Sequence, residues 1–298
     1  MYKFVENKLL KQKLELDGWY ERQFANRTVP QSVSIETDIP YIQNGKDCHK
    51  MDICYPKERA AKLPVVFDFH GGGLVSCDRR FNRWFCGELA GRGCLVFCID
   101  YPLVPQSDVY GILKDAYAGV CHAYRMLERY AGDSERVFLC GDSAGGFVGT
   151  YLAAVQNVPA IAASLGIKTE EMRFAGLAAI SGMFYSSRID SQGIFFLRRD
   201  FYGESCRKHP FWKYVNPENP EILENLPPVL CVTSKGDFLR EYTLKFVGAM
   251  KKAGLGVVLK DYANDKLKHD FVCMTPDEKE TAQAIDLLAS FFQAGNEE

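Results

Sequence analysis

The sequence predicts an α/β fold in which helices flank a mostly parallel central sheet of about eight strands. Six short and nearly continuous apolar runs suggest buried strands, at 64–70, 94–101, 136–141, 174–181, 228–234 and 256–263. Runs of this length suit strands that are buried on both faces. Helical patterns alternate with them, at roughly 108–131, 144–156, 239–253 and 276–293. Strands that alternate with helices form βαβ units around a parallel sheet.

Two further strands precede these units. Apolar residues alternate over 31–42 and over 48–56, with turn residues at 43–47 between them. This pattern predicts an antiparallel hairpin at one edge of the sheet. Residues 1–25 place apolar positions among many charges, which predicts an amphipathic helix or a pair of helices.

An insertion at 184–225 interrupts the alternation and is longer than a simple crossover needs. One crossover helix with a loop would explain it, but long insertions in compact domains tend to be lids or binding loops. We therefore expect a cap from about 184–215. Its arginines (Arg188, Arg198, Arg199 and Arg207) either face solvent or meet an anionic or sugar-like alcohol. Its aromatic residues, which either line a pocket or pack onto the sheet, are Phe184, Tyr185, Phe195, Phe196, Phe201, Tyr202, Phe211, Trp212 and Tyr214.

The composition limits the classes of function. The net charge of −2 over 298 residues gives no support to a broad basic face for nucleic acid. The N-terminal segment lacks the apolar core of a secretory signal, and no run approaches the roughly 20 apolar residues of a membrane helix. Eleven cysteines occur without a Cys-x-x-Cys pair, which favours reduced, buried thiols. We expect a cytoplasmic protein without a nucleic-acid or membrane partner.

The segment Gly-Asp-Ser-Ala-Gly-Gly at 141–146 is the first candidate for chemistry. It follows the predicted strand at 136–141 and opens a helix of small residues. A strand-turn-helix elbow holds its central residue exposed on a strained turn, and Gly141 and Gly145 leave room for the strand and helix to approach. Ser143 would then project from the carboxyl edge of the sheet, where ligands bind in open α/β folds.

A serine hydroxyl needs a base to take its proton, and histidine is the usual one because its pKa lies near neutrality. Of five histidines, only His269 follows the last predicted strand, the position expected after a serine and an acid in this chain order. Asp237 follows the penultimate strand and can face a histidine on the next loop, where it would orient the imidazole.

Four other carboxylates compete with Asp237 for that role. Glu241 falls inside the helix that follows, and Asp261 lies within the last predicted strand. Asp265 and Asp270 are too near His269 in sequence for the usual geometry. Asp237 is therefore the favoured candidate.

The run His70-Gly71-Gly72-Gly73 directly follows another strand. Consecutive glycines present backbone N–H groups without side chains in the way, as an oxyanion hole requires. The N–H of Ala144, just after the serine, would add a donor. A flexible turn or a phosphate loop is the alternative, but a phosphate loop would end in Gly-Lys-Ser/Thr.

These motifs resemble those of serine esterases of the α/β-hydrolase fold, and more narrowly the hormone-sensitive-lipase-like family. The residues that match are 70–73, 141–146, 237–240 and 269–271, and the resemblance covers most of 50–295. It implies that Ser143 is the nucleophile, His269 the base and acid, and Asp237 the orienting carboxylate. It also implies that Gly72, Gly73 and Ala144 bind the oxyanion, and that residues 1–25 join the cap of a single domain spanning 1–298.

One departure concerns the family's Asp-Tyr-Arg-Leu-Ala-Pro-Glu segment. Here it reads Asp100-Tyr101-Pro102-Leu103-Val104-Pro105-Gln106, so we expect the ion pair supplied by that arginine and glutamate to be missing.

The sequence therefore predicts a hydrolase of small soluble carboxylic esters that uses no metal or cofactor. The alternatives are an acetyl-ester (acetylated sugar) deacetylase, a small peptidase on the same fold, and a receptor that binds a small ligand without catalysis. Receptors of this kind have lost the catalytic histidine, so the presence of His269 favours an enzyme. The oligomeric state is not readable from the sequence.

Overall fold

The central feature of the computed structural model is an eight-stranded sheet with the strand order β1-β2-β4-β3-β5-β6-β7-β8. The structure describes residues 27–58, 62–187 and 201–294, together with Lys11, Leu14, Glu15, Gly18 and Arg22. The strands are β1 (Val33–Pro40), β2 (Lys50–Pro56), β3 (Leu63–Phe69), β4 (Leu95–Ile99), β5 (Gly132–Asp142), β6 (Gly176–Ile180), β7 (Val229–Ser234) and β8 (Val257–Tyr262).

The pairing of the strands confirms the predicted fold class. β1 and β2 form an antiparallel pair at one edge, and β2 is also antiparallel to β4. All pairings from β4 through β3 to β8 are parallel. The carboxyl ends of β3, β5, β7 and β8 therefore lie at the same edge, which is where the loops carrying the candidate residues begin.

Helices cover both faces of the sheet. Their bounds are α1 (Arg79–Gly91), α2 (Val109–Tyr124), α3 (Ala144–Asn157), α4 (Pro159–Ser164), α5 (Pro220–Leu223), α6 (Arg240–Lys252), α7 (Phe271–Met274) and α8 (Lys279–Ala294). Short 3-10 turns occur at Asp47–His49, Leu127–Tyr130, Cys206–Lys208 and Pro210–Tyr214.

Side-chain alternation along the strands divides the core into two layers. Val65, Phe67 and Phe69 of β3 belong to the layer that includes α2, α3 and α6, whereas Val66 packs in the layer of α1 and α8. Successive residues of a strand point to opposite faces, so a strand buried on both faces reads as a continuous apolar run.

Helix α1 was not among the predicted helices, although its signals are local. Asp78 caps its N-terminus by accepting a hydrogen bond from Arg80 N at 2.9 Å. Phe81, Phe85 and Leu89 are buried along one face, at the spacing of an amphipathic helix.

The structure describes only part of the predicted cap. Residues 188–200 and most of 1–26 lie outside the described residues, including Phe195, Phe196, Arg188, Arg198 and Arg199. The described aromatic side chains of the cap mostly pack onto the helices beneath. Tyr151 of α3 donates to the carbonyls of Tyr214 and Val215, both at 2.8 Å. Phe184 stacks on Phe246 with ring centroids 4.1 Å apart.

Within the described ranges, no helix is both long and apolar enough to cross a membrane.

Candidate active site

The strand-turn-helix elbow predicted around Ser143 is present between β5 and α3. Ser143 has φ 48° and ψ −111°, a strained conformation that L-residues rarely adopt. Two backbone hydrogen bonds hold it there: Ser143 N donates to Ile180 O, and Met183 N donates to Ser143 O, both at 2.8 Å. The turn is therefore fixed by the neighbouring strand rather than by its own sequence alone.

The glycines that flank Ser143 are required by the close approach of backbone segments. A Cβ on Gly145 would lie 1.8 Å from Phe69 O, and one on Gly141 would lie 2.3 Å from the carbonyl carbon of Gly145. Real Cβ atoms never approach backbone this closely, so any larger residue would push the elbow away from β3.

The structure brings Ser143, His269 and Asp237 together in one chain of hydrogen bonds. His269 Nδ1 lies 2.7 Å from Asp237 Oδ1, and His269 Nε2 lies 2.9 Å from Ser143 Oγ. With the proton on Nδ1 donated to Asp237, Nε2 is free to accept the hydroxyl proton of Ser143. Asp237 holds the place that the chain order predicted for the acid.

Asp237 is held as a carboxylate by several donors. Its Oδ2 accepts from Thr233 Oγ1 at 2.9 Å, and its Oδ1 accepts from Leu239 N at 2.8 Å. Burial opposes its ionisation, but hydrogen bonds from His269 and Leu239 outweigh burial and keep the pKa of Asp237 below its usual value. The side chain is thus fixed in both charge and orientation.

A second carboxylate lies on the other edge of the same imidazole. Asp270 Oδ2 is 3.1 Å from His269 Nε2. Burial disfavours protonation of His269, but Asp270 and Asp237 outweigh it and raise the pKa of His269 to about 10. The short sequence separation between Asp270 and His269 argued against Asp270 as the acid that orients the ring. Asp270 contacts the other ring nitrogen instead.

The glycine loop after β3 lies against the elbow. A Cβ on Gly71 would be 2.3 Å from Asp142 Oδ2. The Gly72 carbonyl accepts from Val75 N at 3.1 Å and from Ser76 N at 3.0 Å. Because C=O and N–H point in opposite directions across a trans peptide, the N–H of Gly73 is directed away from that turn. Gly72 and Gly73 have φ of 96° and 63°, which glycine adopts without strain.

An ion-pair network lies around Asp100, at the start of the segment that lacks the family's arginine and glutamate. Arg79, at the start of α1, contacts Asp100 and Asp38, and its Nε lies 3.0 Å from Asp52 Oδ1. His70 Nε2 is 3.4 Å from Asp100 Oδ1. The pair of the family segment cannot form here, because Pro102 and Gln106 stand at its two positions. The arginine of this network comes instead from α1, a helix that was not among those predicted.

Behind the elbow lies a buried polar cluster. Asn82 Nδ2 donates to Asp68 Oδ2 at 3.0 Å and to Asp142 Oδ1 at 2.7 Å. Burial, with Asp270 and Asp68 nearby, raises the pKa of Asp142 to about 8. The thiols of Cys86 and Cys98 lie 3.4 Å and 3.6 Å from Asp68 Oδ2.

Asp68, Cys86 and Cys98 are of ligand type and close enough together to hold a metal ion. As they stand, both thiols donate to Asp68, and burial raises the pKa of each thiol, that of Cys98 to about 12. This favours thiols that hydrogen-bond the carboxylate over thiolates that bind a metal.

One aromatic side chain beside the imidazole remains open to solvent. Phe238 is 53% exposed, and its ring centroid lies 4.2 Å from that of His269. Sequence reasoning missed Phe238, Asn82 and Asp142 as neighbours of the site. Adjacency to Asp237 and Ser143 in the chain was the available signal for Phe238 and Asp142, whereas Asn82 carried none.

The chain matches a known protein family and is similar to several individual proteins. A family model described as alpha/beta hydrolase fold matches residues 66–273. The chain is 24% identical over 198 residues to the "Probable isoprenylcysteine alpha-carbonyl methylesterase ICMEL1" of Arabidopsis thaliana, covering 64% of this chain and 42% of that protein. It is 28% identical over 212 residues to the Gibberellin receptor GID1C of the same plant, covering 66% of this chain and 60% of that protein.

The chain thus spans less than two thirds of the length of either relative. Among solved structures, it resembles esterase B from Lactobacillus rhamnosis with a TM-score of 0.90 at 22% identity, covering 98% of this chain and 95% of that one. Likeness at this identity concerns the fold.

Proposed function

We propose a reaction for this chain from one premise: it belongs to the alpha/beta hydrolase fold family, of the hormone-sensitive-lipase-like kind. The proposed function is hydrolysis of small soluble carboxylic esters through an acyl-enzyme on Ser143. The observation that carries it is the chain of hydrogen bonds from Asp237 through His269 to Ser143, at 2.7 Å and 2.9 Å. These distances are those of an activated serine nucleophile.

In the first step, Ser143 Oγ attacks the ester carbonyl carbon while His269 Nε2 takes the hydroxyl proton. The carbonyl π electrons move to the oxygen, and the negative charge that develops there is bound by the N–H groups of Gly72, Gly73 and Ala144. Ala144 is the first residue of α3, so its N–H has no acceptor within the helix. Asp237 stabilises the imidazolium that forms.

In the second step, His269 returns its proton to the departing alkoxide oxygen, and the acyl group remains on Ser143. Water then attacks the acyl carbon, with His269 taking one of its protons, and the acid leaves as Ser143 regains a proton. Each transfer uses groups of the chain itself, so we propose a mechanism without a metal or a cofactor. His70 and Gly71 support the oxyanion loop, and Gly141 and Gly145 support the elbow.

We propose that the cap, from about 1–25 and 184–215 of a single domain, limits the substrate to small esters. Phe201, Tyr202 and Phe211 are buried, which supports a cap held tightly on the sheet rather than a mobile apolar lid. Phe238 offers an open apolar surface beside His269 for the alcohol or acyl group. The plant methylesterase among the relatives also supports a small alcohol, and acetyl esters of sugars are the alternative of the same size.

Neither a receptor nor a peptidase receives comparable support. A receptor is among the relatives, but that alternative rests on a site without the catalytic histidine, and His269 contacts Ser143 here. The peptidase alternative has no particular observation in its favour. All eleven cysteines are free, which supports the proposal that the protein works in the reducing cytoplasm.

The test compares wild-type protein with Ser143→Ala on p-nitrophenyl esters of increasing acyl length, run beside acetylated sugars. We expect the variant to lose about four to six orders of magnitude in kcat, because the oxyanion hole alone leaves a residual rate. A fluorophosphonate probe should label the wild type and not the variant. Ser290→Ala, which alters an exposed hydroxyl of α8, is the control and should keep both properties. Turnover by Ser143→Ala near the wild-type rate would overturn the assignment.

A further inference from the structure

Asp270 is placed against the reacting nitrogen of His269 by an unusual backbone turn. Its φ is 55°, in the left-handed region that aspartate tolerates better than most residues. Its N–H donates to Ser181 Oγ at 3.2 Å. This turn brings the carboxylate back over the ring, so that Oδ2 lies 3.1 Å from His269 Nε2. A residue next to the histidine in sequence therefore contacts the nitrogen that faces Ser143.

The surroundings of Asp270 are buried and acidic. Asp270 is 3% exposed, and its Oδ1 has no hydrogen-bond partner within the described ranges. The titratable groups near it come from several elements: Asp142 at the end of β5, Cys273 of α7, Asp237 after β7, and His269. His269 is the group among these that carries a positive charge when it is protonated.

We propose that Asp270 and His269 share one proton, and that Asp270 thereby sets the pH above which His269 can accept the proton of Ser143. The proposal rests on the proposed function of Ser143 and His269. Two interacting groups titrate as a pair. Whether the proton lies on Nε2 or on Oδ2, it occupies the space between them, and it must leave before Nε2 can act as a base.

The surroundings of the pair favour keeping that proton. Ionising both Asp270 and Asp237 beside a neutral imidazole would leave two carboxylates in a buried site without a positive charge, which is costly. Burial accordingly raises the pKa of Asp270, although the contact with His269 opposes this. The consequence for catalysis is an imidazole that is a stronger base once deprotonated and a weaker acid toward the leaving group. Asp270 is thus a positioning residue that tunes the base, beside Asp237, which orients it.

The test is the pH profile of kcat/KM for Asp270→Asn and Asp270→Gly, both of which fit the left-handed backbone. We expect the acid limb of both variants to lie about one to two pH units below that of the wild type, since one neighbouring charge is removed. At a pH on that limb, kcat/KM expressed as a fraction of its plateau value should be about tenfold or more higher in each variant than in the wild type. Asp265→Asn, an exposed carboxylate of the same loop, is the control and should keep the wild-type profile.

A merely structural role for Asp270 would lower the rate at every pH without moving the acid limb, and that result would overturn the proposal. A second readout does not need turnover. In the Ser143→Ala background, NMR titration of the His269 ring should give a lower midpoint when Asp270→Asn is added, and an unchanged midpoint would also overturn the proposal. If the wild type hydrolyses no ester but this midpoint falls, the shared proton stands and the proposed function fails.

Discussion

Two carboxylates hold opposite edges of the single imidazole of His269. Asp237 lies 2.7 Å from Nδ1, and Asp270 lies 3.1 Å from Nε2. Asp237 is surrounded by donors that keep it ionised, whereas Asp270 has a buried oxygen without a partner in the described part of the chain. We therefore propose two distinct roles for these acids: Asp237 fixes the tautomer of the ring, and Asp270 sets the pH above which the ring can accept a proton.

The proposed orienting role of Asp237 gives a prediction at the scale of single residues. Asp237→Asn keeps the shape of the side chain but presents an amide to Nδ1, which favours the tautomer with the proton on the wrong nitrogen. We expect kcat to fall by about 10⁴ with the fold intact, measured on p-nitrophenyl acetate near pH 7. Asp261→Asn removes a carboxylate that pairs with Arg240 at 2.7 Å on β8, and it should cost less than about tenfold. Equal losses in the two variants would contradict the role of Asp237.

At the scale of single residues, the meeting of Ser143, His269 and Asp237 could be predicted, because the order of strands along the chain determines which loops meet. The contact of Asp270 could not be predicted in this way. It depends on a left-handed turn directly after His269, with φ 55°, and such a turn has no signature in a sequence that lacks glycine at that position. Sequence separation was therefore a poor guide to which carboxylates reach the ring.

Among the elements, the elbow joins β5 to α3 by packing backbone on backbone. Gly145, the second of the two glycines that flank Ser143, makes the tightest contact, because a Cβ on it would lie 1.8 Å from Phe69 O. The position of Ser143 relative to β3 and its glycine loop thus depends on residue 145 having no side chain. The motif could be predicted from the sequence because the chemistry requires small residues there.

This contact predicts that Gly145→Ala is strongly destabilising. The added methyl must move α3 away from β3, at a cost of about 3 kcal/mol or more, and activity should fall with it. Gly248→Ala is the matched control: that glycine lies inside α6 with nothing within 4 Å of the added Cβ. It should stabilise the protein by about 0.5–1 kcal/mol, as alanine does in helices. Urea unfolding of both variants measures the difference, and a neutral Gly145→Ala would contradict the packing argument.

Helix α1 is an element that was not predicted from the sequence, and its buried arginine makes contacts that were not predicted either. Arg79 contacts Asp38 of β1, Asp52 of β2 and Asp100 after β4, so a single guanidinium joins three segments far apart in the chain. The partner of a buried charge is set by the tertiary structure, and no local pattern reveals it.

For the molecule as a whole, the buried acids behind the elbow link stability to pH. Asp142 has a folded-state pKa of about 8 against its usual 3.8, because of burial first and then of Asp270 and Asp68. The folded protein therefore binds a proton that the unfolded chain releases between these values. The stability that this proton confers is fully present below about pH 4 and is lost as the pH rises through about 8.

Asp142→Asn should remove this dependence, since the amide keeps an oxygen that can accept from Asn82 and carries no charge. From pH 5 to pH 8, the free energy of unfolding should fall by at least about 1 kcal/mol more in the wild type than in Asp142→Asn. Urea unfolding at both pH values measures this. Asp133→Asn is the control, because hydrogen bonds from Arg136 and the backbone outweigh burial and lower the pKa of Asp133. Asp133→Asn should therefore lower the free energy of unfolding by about the same amount at pH 5 and pH 8, and its difference from the wild type should shrink only as the pH falls below about 4. Parallel losses in the wild type and Asp142→Asn would show that Asp142 stays ionised in the folded protein, and the link between the buried acids and stability would then fail.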